Sequence, residues 1–189
     1  MELTKEQFNT SLAVDPDNYN GSRNYRNTPV EAYNCGGFAL SIYNWICPYV
    51  CEDDDSPNIS EEYYTESERG YIMDMLFDEG YLEEEIEEYI LQKDTEFLLR
   101  KYQFLTETTL EDYARDEDLI AYRIFVKTNG EYVEDTDFHF KIRVNGFWFE
   151  KMGASDVTIC DLNPDKSWST GNLNYKSRIV YFKTKRKKI

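Results

Sequence analysis

Apolar positions change period along this chain, and the changes divide it into regions. Residues 10–33 are rich in Asn, Asp, Tyr, Gly and Pro with little periodicity, which predicts an irregular lead-in. From Asn34 onward, Phe38, Ile42, Trp45 and Ile46 recur at spacings of three and four, so a helix with that face inward is expected. Asn34 is its predicted N-cap, directly before Cys35, and Pro48 with the acidic run CEDDDSPN ends it. Residues 52–118 then read as an acidic helical insertion. Thr65 and Glu68 form a capping-box pattern ahead of Tyr71, Ile72, Met75, Leu76 and Glu79, with Gly80 as the stop. A longer helix is predicted from Leu82 through Ile86, Ile90, Phe97 and Leu98 to about Tyr102, its other face nearly all Glu. A third, short helix is expected from Thr108, paired with Glu111. From Leu119 the period becomes two: LIAYRIFV, a turn at Asn129-Gly130, DFHFKIRV, a turn at Asn145-Gly146, FWFEKM, and finally SRIVYFKT over Ser177–Thr184. Helices first and an antiparallel sheet afterwards predict one α+β domain over residues 1–189.

Composition adds a packed core and an uneven charge. Hydrophobic residues make up 41% and aromatics 16%, enough for a globule, and 189 residues suit one domain. The formal charge is −16, yet residues 52–118 hold 24 Asp and Glu against 5 Lys and Arg, a balance of −19. Basic residues gather instead in a tail at 183–189, expected to be a solvated end. A protein that tracks nucleic-acid phosphates is thereby disfavoured. The acids of the insertion are expected to form a solvated face, since no metal-loop spacing occurs among them. The stretch Phe38–Val50 is well short of the ~20 residues of a membrane span, and the first residues lack a basic start followed by an apolar run. A cytoplasmic protein without membrane association is the expectation, with four cysteines kept reduced.

Among those thiols Cys35 has a distinct setting. At a helix start the unpaired backbone N–H groups favour an anion, so Cys35 is placed to act as a thiolate nucleophile. Gly36 and Gly37 next to it would let a substrate carbonyl approach the backbone, with the Cys35 N–H donating to an oxyanion and Asn34 beside it. Cys47, Cys51 and Cys160 read as buried thiols. Cys47 and Cys51, on one face of the predicted helix, would make only an incomplete zinc site, so neither metal nor cofactor is expected.

A thiolate nucleophile needs a proton shuttle, and His139 is the single histidine of the chain. If Asn145-Gly146 closes a two-residue hairpin, Val144 opposes Phe147, Arg143 opposes Trp148, Ile142 opposes Phe149 and Lys141 opposes Glu150. Alternation then puts His139, Lys141 and Glu150 on one face, where the Glu150 carboxylate can orient the imidazole. A plain Glu150–Lys141 cross-strand pair is the competing reading.

The stretches NCGGFAL and DFHFKIRVNGFWFEKMG resemble the NlpC-type branch of the papain-like cysteine peptidases. That resemblance implies a papain-like fold in which the nucleophile, Cys35 here, opens a helix and the histidine, His139 here, begins a strand. The third polar residue of the branch falls at Glu150, where many members carry His. The expectation is a thiol peptidase or amidase acting on a peptide or protein through an acyl-enzyme. Two alternatives stand beside it: an acidic inhibitor or binding protein that fills a basic groove on a partner, and a papain-like binding module without activity.

Overall fold

The computed structural model describes residues 13–14, 23–24, 33–42, 44–51, 64–112, 117–144, 146–154, 157–160, 168–170 and 173–185. Strands β1 (Ala13–Val14) and β2 (Arg23–Asn24) pair antiparallel within the stretch expected to be irregular. Among the described residues three helices follow: α1 (Cys35–Leu40), α2 (Glu66–Asp78) and α3 (Glu83–Lys101). The remaining elements are β3 (Thr106–Thr108), β4 (Glu117–Thr128), β5 (Val133–Val144), β6 (Phe147–Lys151), β7 (Val157–Ile159), β8 (Ser169–Thr170), β9 (Leu173–Asn174) and β10 (Val180–Lys185). Six of the strands form one antiparallel sheet in the order β3-β10-β4-β5-β6-β7, so the architecture is α+β.

Alternation sends one set of sheet residues toward the helices and the other set away from them. Ile120, Tyr122, Ile124, Val126, Phe140, Ile142, Phe149, Val180 and Phe182 share a core with Phe38 and Leu40 of α1, Met73 and Leu76 of α2, and Ile86, Ile90, Leu91 and Leu98 of α3. Leu119, Ala121, Phe125 and Trp148 face the other way and are covered by Cys160, Trp168 and Tyr175. With both faces covered, β4 is buried along nearly its whole length.

A buried polar centre fastens the helices to the sheet. Arg69 of α2 donates to Asp94 of α3 through Nε at 3.1 Å and Nη2 at 3.0 Å. The hydroxyls of Tyr64 and Tyr122 donate to the same carboxylate at 3.0 and 2.8 Å, and Arg69 Nη1 reaches Thr136 of β5 at 3.1 Å. Burial, reinforced by the Asp94 charge, pushes the Tyr122 hydroxyl well above its usual range, which keeps it a neutral donor.

The N-cap expected at Thr65 forms, and a contact not expected from the sequence closes the start of the next helix. Thr65 caps α2, its hydroxyl accepting from the Glu68 N–H at 3.1 Å, and the Glu85 carboxylate accepts from the Leu82 N–H at 2.8 Å before α3. The third expected helix does not form at Thr108, because Thr106–Thr108 is instead an edge strand paired with Tyr181–Lys183 of β10. The basic tail also begins later than expected. Lys183 and Lys185 lie within β10 opposite Leu119 and Glu117, while residues 186–189 fall outside the described residues. No described helix is long and apolar enough to cross a membrane.

Candidate active site

The segment around Cys35 follows its sequence at the start of the helix and departs from it at the end. Asn34 is the N-cap, with Oδ1 accepting from the Gly37 N–H at 3.0 Å. The helix stops at Leu40, where Ser41 takes a left-handed conformation (φ 59°), and the chain doubles back. Ile46 returns to Asn34, donating to Oδ1 at 2.9 Å while its carbonyl accepts from Nδ2 at 2.9 Å. The expected inward face is thus broken: Phe38 and Ile46 are buried, whereas Trp45 is 51% exposed.

This return explains the two glycines. A Cβ on Gly37 would sit 2.1 Å from the Asn44 carbonyl and 2.7 Å from that of Ile42, and one on Gly36 would sit 2.8 Å from that of Ile46. The space expected for a substrate carbonyl at Gly36 and Gly37 is filled by the chain's own carbonyls. Asn34 likewise spends its side chain on Gly37 and Ile46, which gives it a structural task in place of a substrate contact. The N–H groups of Cys35 and Gly36 belong to the first helical turn, which leaves them outside the intrahelical ladder.

The hairpin that carries His139 pairs in the counted register. Val144 opposes Phe147, Arg143 opposes Trp148, Ile142 opposes Phe149 and Lys141 opposes Glu150. Gly146 supplies the positive φ of 85° that the tight turn needs, and Asn145 lies outside the described residues. His139 Nε2 lies 2.9 Å from Glu150 Oε2. Helix α1 lies against β5 and β6, and the Cys35 thiol is near enough to the same imidazole to help raise it. With Nε2 turned to Glu150, Nδ1 is the nitrogen left to serve the thiol. The structure therefore brings Cys35, His139 and Glu150 into one chain of contacts.

Burial of His139 works against its charged form. The hydrogen bonds to Cys35 and Glu150 outweigh that burial and hold the imidazole up to about 9. Glu150 answers in the opposite sense. Burial would raise it, yet the His139 bond, the Lys141 charge and the Cys160 thiol keep its carboxyl below the usual range. Lys141 lies 3.7 Å from the same Oε2, so the competing cross-strand pair is present together with the histidine contact.

Several neighbours of this site carry no clear sequence signal. Trp168 meets the His139 ring edge-on at 5.8 Å, and Tyr175 lies 5.3 Å from it while donating its hydroxyl to Asp137 at 2.8 Å. The Lys141 ammonium sits 4.5 Å from the Trp168 ring centroid. Trp168, Tyr175 and Cys160 come from a part of the chain whose strands are only two or three residues long, too short for a period to place them. Cys47 and Cys51 sit on a non-helical turn, not on the helix face expected of them. Among the described residues, no group of three or more His, Cys, Asp or Glu side chains is placed to hold a metal ion. No family model matches this chain, and neither does a curated protein or a solved structure.

Proposed function

We propose that this chain is a papain-like cysteine hydrolase, a thiol peptidase or amidase in which Cys35 is the nucleophile, His139 its base and Glu150 the group that orients the imidazole. The observation that carries the reading is the placement of the single histidine, 2.9 Å from a carboxylate on one nitrogen and in contact with a helix-opening thiol. A buried histidine needs one partner to be satisfied; this one is held between an acid and a nucleophile. An acidic inhibitor that fills a basic groove has no use for such an arrangement. Its acidic surface is also partly spent within the chain, since Glu88 binds Arg178 and Glu83 binds Lys176.

In the proposed reaction the Cys35 sulfur attacks the carbonyl carbon of an amide, and the electron pair moves to the carbonyl oxygen. The imidazolium of His139 then protonates the departing amine as the C–N bond breaks, leaving an acyl-thioester on Cys35. Water, deprotonated by the neutral imidazole, attacks the thioester carbonyl; the C–S bond breaks, the acyl group leaves as a carboxylic acid, and the imidazolium returns its proton to the sulfur. Through these steps Glu150 keeps Nε2 occupied and the ring in one orientation.

Limiting iodoacetamide at pH 7, read by peptide mass spectrometry, tests the assignment. Cys35 should be alkylated first, because burial pushes the thiols of Cys47 and Cys160 up. His139→Ala should slow Cys35 alkylation at pH 7 and leave it nearly unchanged at pH 10. Labelling that starts at Cys47, Cys51 or Cys160, or an equal rate in both proteins at pH 7, would sink the pairing. A chain that passes this test yet hydrolyses no amide would be a papain-like binding module.

A further inference from the structure

Cys47 and Cys51 lie outside the Cys35 site and have a geometry of their own. The turn that carries them, through Pro48 and Tyr49, is anchored at both ends. On one side Ile46 is bonded through its N–H and its carbonyl to the Asn34 side chain. On the other, Val50 forms a parallel bridge with Thr65, its N–H donating to the Tyr64 carbonyl at 2.8 Å and its carbonyl accepting from Glu66 at 3.1 Å. Cys47 lies between these anchors and Cys51 directly follows the second, and the two sulfurs are 2.9 Å apart, with the Cys51 thiol directed at Cys47. A disulfide needs a separation of ~2.05 Å, so bond formation calls for a closing movement of about 0.9 Å. Both thiols are part exposed, whereas Cys35 and Cys160 are buried.

We propose that Cys47 and Cys51 form a reversible dithiol–disulfide couple, a redox modification site separate from Cys35 that is oxidised by a small-molecule disulfide such as glutathione disulfide. The Cys51 thiolate attacks one sulfur of the oxidant, forming a mixed disulfide and releasing one glutathione thiolate. Cys47 gives up its proton and attacks the Cys51 sulfur, which expels the second glutathione and forms the Cys47–Cys51 bond. Two protein thiols lose two electrons, and one glutathione disulfide becomes two glutathione thiols. Burial and the nearness of Cys51 push the Cys47 thiol up, so Cys47 acts second. The bond closes a very short loop and so gains little of the stabilisation that long loops bring, which suits a link that is made and broken. Among the described residues no third ligand joins the pair as a metal site would require.

The test treats the folded full chain with glutathione disulfide, quenches with acid, alkylates the remaining thiols and maps them after chymotryptic cleavage, which at Trp45 separates Cys35 from the pair. The expected product is Cys47 linked to Cys51 and unalkylated, the intact chain being lighter by about 2 Da until dithiothreitol restores it, and cleavage at Tyr49 leaving two peptides joined by the bond. The Cys35→Ser variant should give the same product, which distinguishes this couple from the proposed catalytic thiol. In Cys47→Ser, a glutathione adduct should persist on Cys51. The proposal is overturned if both sulfurs remain open to alkylation, if a glutathione adduct persists on the pair in the unmutated chain, or if the link disappears in Cys35→Ser.

Discussion

Two buried polar centres sit on opposite faces of the same sheet, and they differ in how completely they are satisfied. On the helix side, Asp94 is fully buried, and its two carboxylate oxygens receive four donors from Arg69, Tyr64 and Tyr122. A carboxylate has about four acceptor positions, so nothing remains there for a ligand. On the other face, Glu150 meets His139 through one ring nitrogen and has the Lys141 ammonium 3.7 Å away, while the Cys35 thiol acts on the same imidazole. A saturated network fixes architecture; a ring with two distinct nitrogens can be fixed through one and react through the other.

Mutation of each centre tests that contrast. The largest effect is expected from Asp94→Ala, which strands the Arg69 guanidinium in the core and should cost about 3–5 kcal/mol in urea unfolding. A loss under 1 kcal/mol, measured the same way, would deny the network its structural role. Gly37→Ala should come next, at about 1–3 kcal/mol, because the new methyl meets backbone carbonyls that must shift. Slower Cys35 alkylation should accompany it, since the same return segment holds the Asn34 cap of the Cys35 helix.

Glu150→Gln acts on the other centre and should leave the fold intact. Removing the carboxylate should lower the His139 titration midpoint from about 9, by roughly 1–3 pH units, in an NMR titration of the only histidine. An unchanged midpoint would reduce the site to a Cys-His dyad. The same pair should also act on stability against pH. An imidazole raised from 6.5 to about 9 stabilises the fold fully below pH 6.5 and loses that contribution as pH rises through 9. Unfolding midpoints at pH 6 and pH 9.5 should therefore differ more for the unmutated chain than for Glu150→Gln.

Features written in neighbouring residues were legible from the sequence. The Asn34 cap, the Thr65 cap and the register from Lys141–Glu150 to Val144–Phe147 each depend on residues within about a dozen positions, and each formed as counted. Features settled by distant partners were not. The period of α1 continues to Ile46 on paper, but the left-handed Ser41 and the Asn34–Ile46 bonds turn the chain back and expose Trp45. Thr106–Thr108 becomes a strand because β10, more than seventy residues on, lies beside it. The cover over His139 likewise arrives from Trp168 and Tyr175, where no periodic run announces it.

The position of β10 has a consequence for how the protein is made. The strand emerges last of the six from the ribosome yet lies inside the sheet, bonded to β3 on one side and β4 on the other. A nascent chain that has reached Glu150 already holds Cys35 and His139, but it lacks Val180 and Phe182 of the helix-side core and the Trp168 and Tyr175 cover. At about 5–20 residues per second, translation from Glu150 to Lys185 takes roughly 2–7 s, during which the hairpin bearing the histidine has no completed sheet to hold it. The sheet beneath the thiol and the imidazole can thus be complete only once the interior strand has been supplied.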